Sequence, residues 1–323
     1  GDAGLTLHGE VALRSTQAPL VQRWVTALRD ARPSAELIGR LPPGATSFGS
    51  GASSLQALRP EWDLLGALAP SLLLGDARLP AADDAAVRSA LAAVFRALPH
   101  DRVVAAAGAG PAAGGGSWTV GVYQFDAPAA AFVPLLRTAV TTLRRPAVAR
   151  LLQTAWQLNP TTLQTPPTAG LPAGSYVVRL PLPANLAPAT RAAMGLGSAP
   201  AVELALVPEG NTLWVAYGVD ARARLAEARA THPATLEVRG LTEPGVIFGG
   251  AALPVGLAHL VGRYEPQLGR TLERAIVRTP GANAPLTLLL RLRAEGAGAV
   301  ASGDFTLPAG VLGLVGATLR QTP

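Results

Sequence analysis

Residues 103–125 read VVAAAGAGPAAGGGSWTVGVYQF, a small apolar run, a burst of glycines and an alternating segment. Two folds compete for this stretch. A strand that turns through Gly-x-Gly-x-x-Gly into a helix brings backbone amides close to a pyrophosphate. Similar glycines between two strands only let the chain cross over. Gly108 and Gly110 fit the fingerprint, but Ala113 holds the third position and Gly114 comes one residue late. The next segment, SWTVGVYQF, has the period of a strand and not of a helix. The stretch therefore predicts a strand over 102–107, a glycine loop over 108–116 and a second strand, with no nucleotide site.

The same unit recurs downstream. In VELALVPEGNTLWVAYGVDARARLAEA, Val202, Leu204 and Leu206 alternate, Pro208, Glu209, Gly210 and Asn211 turn, and Leu213, Val215 and Tyr217 alternate again. Asp220 then stands where a carboxylate caps a helix. Aligning on the aspartates, Tyr123 and Asp126 repeat the spacing of Tyr217 and Asp220. Phe132, Leu136, Ala139 and Leu143 then keep helical spacing, with Pro134 expected to kink the run. A third copy spans 286–319, where LTLLLRLR and VASGDFTL precede a helix opening at Pro308.

A longer repeat links PPGATSFGSGASSLQAL from Pro42 to EPGVIFGGAALPVGLAHL from Glu243. Upstream of each lies a strand and an amphipathic helix, so residues 5–143 map onto 211–319. The expected fold is α+β and internally duplicated, built from strand-strand-helix units with largely antiparallel sheets packed by helices. Residues 1–158 and 175–323 form the two repeats, and proline-rich 159–174 links them.

Composition removes several chemistries. All 27 basic residues are arginine, in keeping with a GC-rich coding bias, so a phosphate-loop lysine and a Schiff base are excluded. There is no cysteine, which excludes disulfides, thiolate metal sites and cysteine nucleophiles. The net charge of +6 is dispersed, with one small cluster at Arg144, Arg145 and Arg150, and nucleic-acid binding is not expected. The longest apolar run, 64–74, is broken by Pro70 and falls short of a membrane span. The chain opens Gly-Asp and its sole methionine is Met194, which fits a removed leader or lipoprotein signal, or a cleaved tag.

The candidate polar sites have plainer readings. Ser47, Ser50, Ser53 and Ser54 lie in a glycine-rich stretch without the Gly-x-Ser-x-Gly elbow, and a strand-to-helix turn explains them. His8, His100, His232 and His259 have no ligand spacing, so no metal or cofactor is expected. Asp83 and Asp84 sit where a helix starts, ahead of Val87, Leu91, Val94 and Leu98, while Glu61 and Asp63 suit a turn. Tyr123, Tyr217, Arg144 and Arg145 remain as possible ligand or partner contacts.

Four segments, LPPGA from Leu41, VYQFDAPAAAFVPLL, the 202–228 unit and FTLPAGVLGLV, together resemble the DUF3352-like duplicated envelope proteins of high-GC bacteria. The long glycine loop and proline-rich centre are departures from that pattern. The resemblance implies export to the periplasm or outer membrane, often behind a lipoprotein signal, and brings no catalytic residues. The expected function is a non-enzymatic envelope binding or scaffold protein, partnered by another envelope protein. The alternatives are a carrier of an apolar ligand between the halves, and a hydrolase assembled from dispersed Ser, His and Asp residues.

Overall fold

The computed structural model describes residues 4–13, 19–29, 32–54, 79–96, 102–230, 236–295 and 298–319, with isolated positions 59, 64 and 68. In chain order the strands are β1 (Leu5–Leu13), β2 (Ser47–Ser53), β3 (Val103–Pro111), β4 (Ser117–Phe125) and β5 (Tyr176–Pro181). They continue with β6 (Ala201–Glu209), β7 (Thr212–Gly218), β8 (Val246–Ala252), β9 (Leu286–Glu295) and β10 (Gly298–Leu307). The helices are α1 (Pro19–Arg29), α2 (Ala35–Gly39), α3 (Ala81–Arg96), α4 (Phe132–Leu143) and α5 (Pro146–Trp156). After them come α6 (Pro188–Ala193), α7 (Ala221–Arg229), α8 (Pro254–Tyr264), α9 (Pro266–Arg278) and α10 (Ala309–Leu319).

The glycine-rich stretch is an antiparallel hairpin, β3 against β4, in register from Val103↔Phe125 to Pro111↔Ser117. The first strand runs to Pro111, beyond its expected end, so Gly108 and Gly110 are strand residues and the loop shrinks to 112–116. Gly110 stands opposite Trp118, and a Cβ there would lie 2.6 Å from the indole and 2.5 Å from the Gly44 carbonyl oxygen. Glycine at this position makes room for the largest fully buried side chain, whose Nε1–H donates to the Pro111 carbonyl at 2.9 Å.

The turn glycines have a different task. Gly114 and Gly115 take φ of 69° and 78°, a region that L side chains adopt only under strain. Their backbone lies against residues 195–198: Ser198 N–H donates to the Gly114 carbonyl at 2.9 Å, and Ser117 N–H to that of Gly195 at 2.8 Å. Two glycine-rich turns thus approach each other backbone to backbone.

All ten strands join one antiparallel sheet in the order β1-β10-β9-β8-β2-β3-β4-β7-β6-β5. The fold is α+β, with one sheet in place of several. Strands from 1–158 and 175–323 interleave in it, since β1 pairs with β10, β2 with β8 and β4 with β7. Within 159–174, Gln164 and Arg179 exchange backbone hydrogen bonds at 2.8 and 2.9 Å, which fastens this stretch to β5.

The serine-glycine stretch is not the expected turn but the central strand β2. A Cβ on Gly49 would approach the Gly249 carbonyl oxygen to 2.9 Å, so glycine permits the close pairing of β2 with β8. Ser50 is 1% exposed, accepts from the Ser34 N–H and donates to the Ala105 carbonyl, both at 2.8 Å. Both groups need it in the dry interior, so Ser50→Ala should cost about 1–3 kcal/mol in denaturant unfolding.

Cross-strand partners point to the same face of a sheet. One face carries Trp118, Val120, Val122, Trp214, Ala216 and Val207 into the main core, where they meet Leu37 and Ile38 of α2 and Ala221 and Leu225 of α7. Each valine, leucine or isoleucine among them contributes roughly 1.5–3 kcal/mol by leaving water. On the other face, Phe125, Leu206 and Leu213 pack with Phe132 and Leu136 of α4.

The expected aspartate caps are not formed. Asp220 does precede α7, but its φ of 58° and ψ of 26° are left-handed and its side chain makes no cap bond; a capping side chain needs extended backbone to reach the first-turn amides. After β4 the chain first makes a 3₁₀ turn, Ala129–Ala131, with Pro128 before it, so α4 begins six residues beyond Asp126. Pro134 therefore falls in the first helical turn, where its missing N–H costs no intrahelical hydrogen bond. Asp83 and Asp84 lie inside the first turn of α3, and pair with Arg145 at 2.5 Å and Arg88 at 2.8 Å. Of the expected α3 face, Val87 is buried; the side chains of Leu91 and Val94, and all of residue 98, lie outside the described residues, as do 61, 63, 100 and 232.

A charged cluster ties β1 to the sheet. His8 Nδ1 lies 2.6 Å from Asp304 and Nε2 3.3 Å from Glu10, while Arg291 reaches both Asp304 and Glu243. Hydrogen bonds to Asp304 and then Glu10 raise the His8 pKa, and the hydrogen bond from His8, followed by that from Arg291, lowers the Asp304 pKa. Protonated His8 thus holds β1 at low pH and releases it as pH rises through its raised pKa; Asp304 holds it at higher pH and releases it on acidification through its lowered pKa. Protection of the β1 amides, their exchange relative to the intrinsic rate at each pH, should be greatest between those two values. NMR titration of His8 should give a midpoint above the ordinary histidine value, moving back toward it in Asp304→Asn.

Candidate functional site

The sheet face opposite the main core is where side chains shrink. Register aligns Leu288, Gly250, Gly49, Ala107 and Gly121 in one row across five strands. Phe305 and Leu7 extend the row toward β1. The small residues form a floor, and the Phe248 ring lies against Gly49, Gly51 and Gly250. Phe248, Leu288 and Leu290 stay 36–37% exposed, and Leu5, Leu7 and Val11 continue the apolar surface along β1. A contiguous apolar sheet face left in water is unusual and marks a binding surface.

Two cavities open on this face. The first, about 420 Å³, lies over the floor between Leu286, Leu288 and Phe305 on one side and Thr119 on the other. The second, about 640 Å³, lies between the strand ends and α8 and α9, with Leu257, Leu260, His259, Arg263, Arg270 and Glu273 in its walls. They share Ser47, Ala109, Thr119 and Ala252, so one trough runs from an apolar floor to a charged end.

Close contacts set the charged end in place. A Cβ on Gly256 would lie 2.6 Å from Thr46, which seats α8 on the start of β2. A Cβ on Gly269 would lie 2.4 Å from Gly262 Cα, so α8 and α9 cross at two glycines, each followed by an arginine. Arg263 rests near the backbone of Gly195, beside the glycine turn. His259 Nε2 meets Glu273 at 3.2 Å, while its Nδ1 is buried with no hydrogen-bond partner.

Tyr123 and Tyr217 share the trough's face of the sheet. Tyr123 packs into the apolar cluster beside α4, with its ring over Gly121, and burial raises its hydroxyl pKa. Tyr217 stands directly across from Thr119, at the trough's border, and is also raised by burial. Arg144 donates to the Leu163 carbonyl and Arg145 pairs with Asp83, and neither lines either cavity.

No family model, curated protein or solved structure matches the chain. Chemistry must be judged from the site alone. Ser50 is buried, its hydroxyl is used by the Ser34 N–H and the Ala105 carbonyl, and it lines neither cavity, so a hydrolase that paired this serine with His259 is not assembled. Among the described residues no hydroxyl hydrogen-bonds His259 Nδ1, and no group of three or more His, Asp or Glu side chains could hold a metal. Nor is any helix among them long and apolar enough to cross a membrane.

Proposed function

We propose that this protein is a non-enzymatic binding component of the bacterial envelope whose ligand is an apolar chain laid along the open sheet face. The observation that carries the reading is the apolar face around Leu288, Gly250, Gly49 and Ala107, which lines the first cavity, with Ser47, Ala109, Thr119 and Ala252 shared between it and the second. Ligand sites are concave and mostly apolar, with a few polar groups that orient the guest. The envelope setting, in the periplasm or at the outer membrane, rests on the sequence resemblance at Leu41, the VYQFD segment and the FTLPAG segment.

The same reading includes an internal duplication. Its support is the strand order: β1-β10-β9-β8 on one side of the sheet centre answers β7-β4-β3-β2 on the other, the stretches 5–143 and 211–319 each lending their first strand to the other's last. The carrier site then falls beside the seam between the halves, at β2 and β8.

N-phenyl-1-naphthylamine, a neutral apolar fluorophore, should bind saturably. Leu288→Arg places a charge on the partly exposed trough wall and should weaken that binding by about tenfold or more, a loss of roughly 1.4 kcal/mol, with little change in melting temperature. Absence of saturable binding, together with no lipid-sized mass in native mass spectrometry, would refute the carrier reading.

A further inference from the structure

The trough is chemically lopsided. Over the sheet its walls are leucine, phenylalanine, alanine and glycine, whereas under α8 and α9 they include two guanidinium groups, Arg263 and Arg270. Most other arginines near the sheet have partners: Arg222 pairs with Glu203, Arg229 with Glu209, and Arg291 with Asp304 and Glu243. Neither Arg263 nor Arg270 has a side-chain hydrogen bond or ion pair among the described residues. Among the described lining residues of that cavity Glu273 is the one acid, and it faces His259 Nε2 at 3.2 Å.

We infer that the trough's guest is an amphiphile with a single alkyl chain and an anionic head, the chain over the glycine floor and the head between Arg263 and Arg270. This rests on the carrier reading above and adds the chemistry of the head. Three observations support it. The two cavities share lining residues, so one molecule can occupy both. The lining of the apolar cavity runs from Phe305 of β10 to Thr119 of β4, roughly 24 Å at the spacing of neighbouring strands, a reach suited to an extended chain. Guanidinium is weakly hydrated and presents a planar fork of donors that matches a carboxylate or a phosphate. The close glycine crossing of α8 and α9 places Arg263 and Arg270, each next to a crossing glycine, on the wall of the same cavity.

Displacement of bound N-phenyl-1-naphthylamine by dodecanoate and by dodecanol separates head from chain. Dodecanoate should displace the fluorophore at about tenfold lower concentration than dodecanol, the factor expected of hydrogen bonds to a charged group. In the Arg263→Gln/Arg270→Gln double variant that preference should fall to within about twofold. A circular dichroism spectrum and melting temperature close to those of the unmodified protein show that the variant is folded. Arg263→Lys/Arg270→Lys should keep part of the preference, because charge survives while the fork is lost. Equal displacement by acid and alcohol in the unmodified protein would overturn the anionic head and leave the carrier reading standing. A preference that survives in the glutamine variant would overturn the role of these arginines. If the fluorophore itself does not bind, the carrier reading fails and the head with it.

Discussion

Gly197→Ala is expected to destabilise the protein by roughly 3–5 kcal/mol, a mutational penalty near the top of the usual range. The added Cβ would lie 2.2 Å from the Gly114 carbonyl oxygen, 2.4 Å from Gly116 N and 2.6 Å from Gly115 C. All three are backbone atoms of the β3–β4 turn, so no side chain can rotate away. The φ of 54° adds the cost of a left-handed conformation. Thermal unfolding should show a fall of roughly 4–7 °C. Gly170→Ala is the control: its φ of 81° is equally left-handed, but nothing lies within 4 Å of the added carbon, so only the conformational cost remains. A Gly197 variant no worse than the Gly170 variant would mean that the two turns do not need their close approach.

Trp118→Ala should cost about 3–5 kcal/mol, the range for truncating a fully buried large aromatic. Trp118 is 1% exposed, sits in the main core, and carries Arg224 over its ring at 5.6 Å from the centroid. Removing the indole also leaves the Pro111 carbonyl without its Nε1–H partner. Urea unfolding should show the loss as a lower midpoint at similar slope. Gly110→Ala should interact with it non-additively, because the indole blocks one side of that position, with a coupling of roughly 0.5–3 kcal/mol. Additive effects would show that Gly110 is not there to accommodate the ring.

Much of the fold is written in period-two alternation. The β6–β7 hairpin, the alternation after Ser117 and the pair of strands around 296 are legible because alternation and turn residues act locally. Caps are a poorer guide. The Asp220 carboxylate has the right place in the sequence, but the preceding Gly218, at φ 113°, and Asp220 itself turn the chain so that the carboxylate does not reach the helix amides. The glycines of β2 and β8 mislead for a related reason: in isolation Gly-Ser-Gly reads as a turn, while in a central strand it records how closely another backbone passes.

The trough is hidden in the sequence because alternation alone does not say which face gets covered. In LTLLLRLR, leucines point to both faces; Leu289 enters the core while Leu288 and Leu290 remain exposed. Tyr217 is a local clue to the correct face, and its cross-strand partner Thr119 lines both cavities. Arg263 and Arg270 leave a faint trace in GRYEPQLGR, two Gly-Arg pairs separated by a proline that folds one helix back on the next. Only that folded-back helix pair brings the two Gly-Arg pairs together, and nothing local in the sequence announces it.

The pairing of β1 with β10 has a consequence for how the molecule is made. Thr6 and Thr306, 300 positions apart, face each other across that ladder and share a hydrogen bond. During vectorial synthesis at the ribosome, β1 emerges early and waits for its partner until nearly the whole described chain has been made. Such long-range closure raises contact order and slows folding, and an unpaired strand exposed meanwhile invites association with other chains. Refolding should therefore be slow for a chain so rich in local hairpins, with β1 the last strand to gain protection from hydrogen exchange. Chaperone demand during biogenesis is thus set by where one strand sits in the sheet.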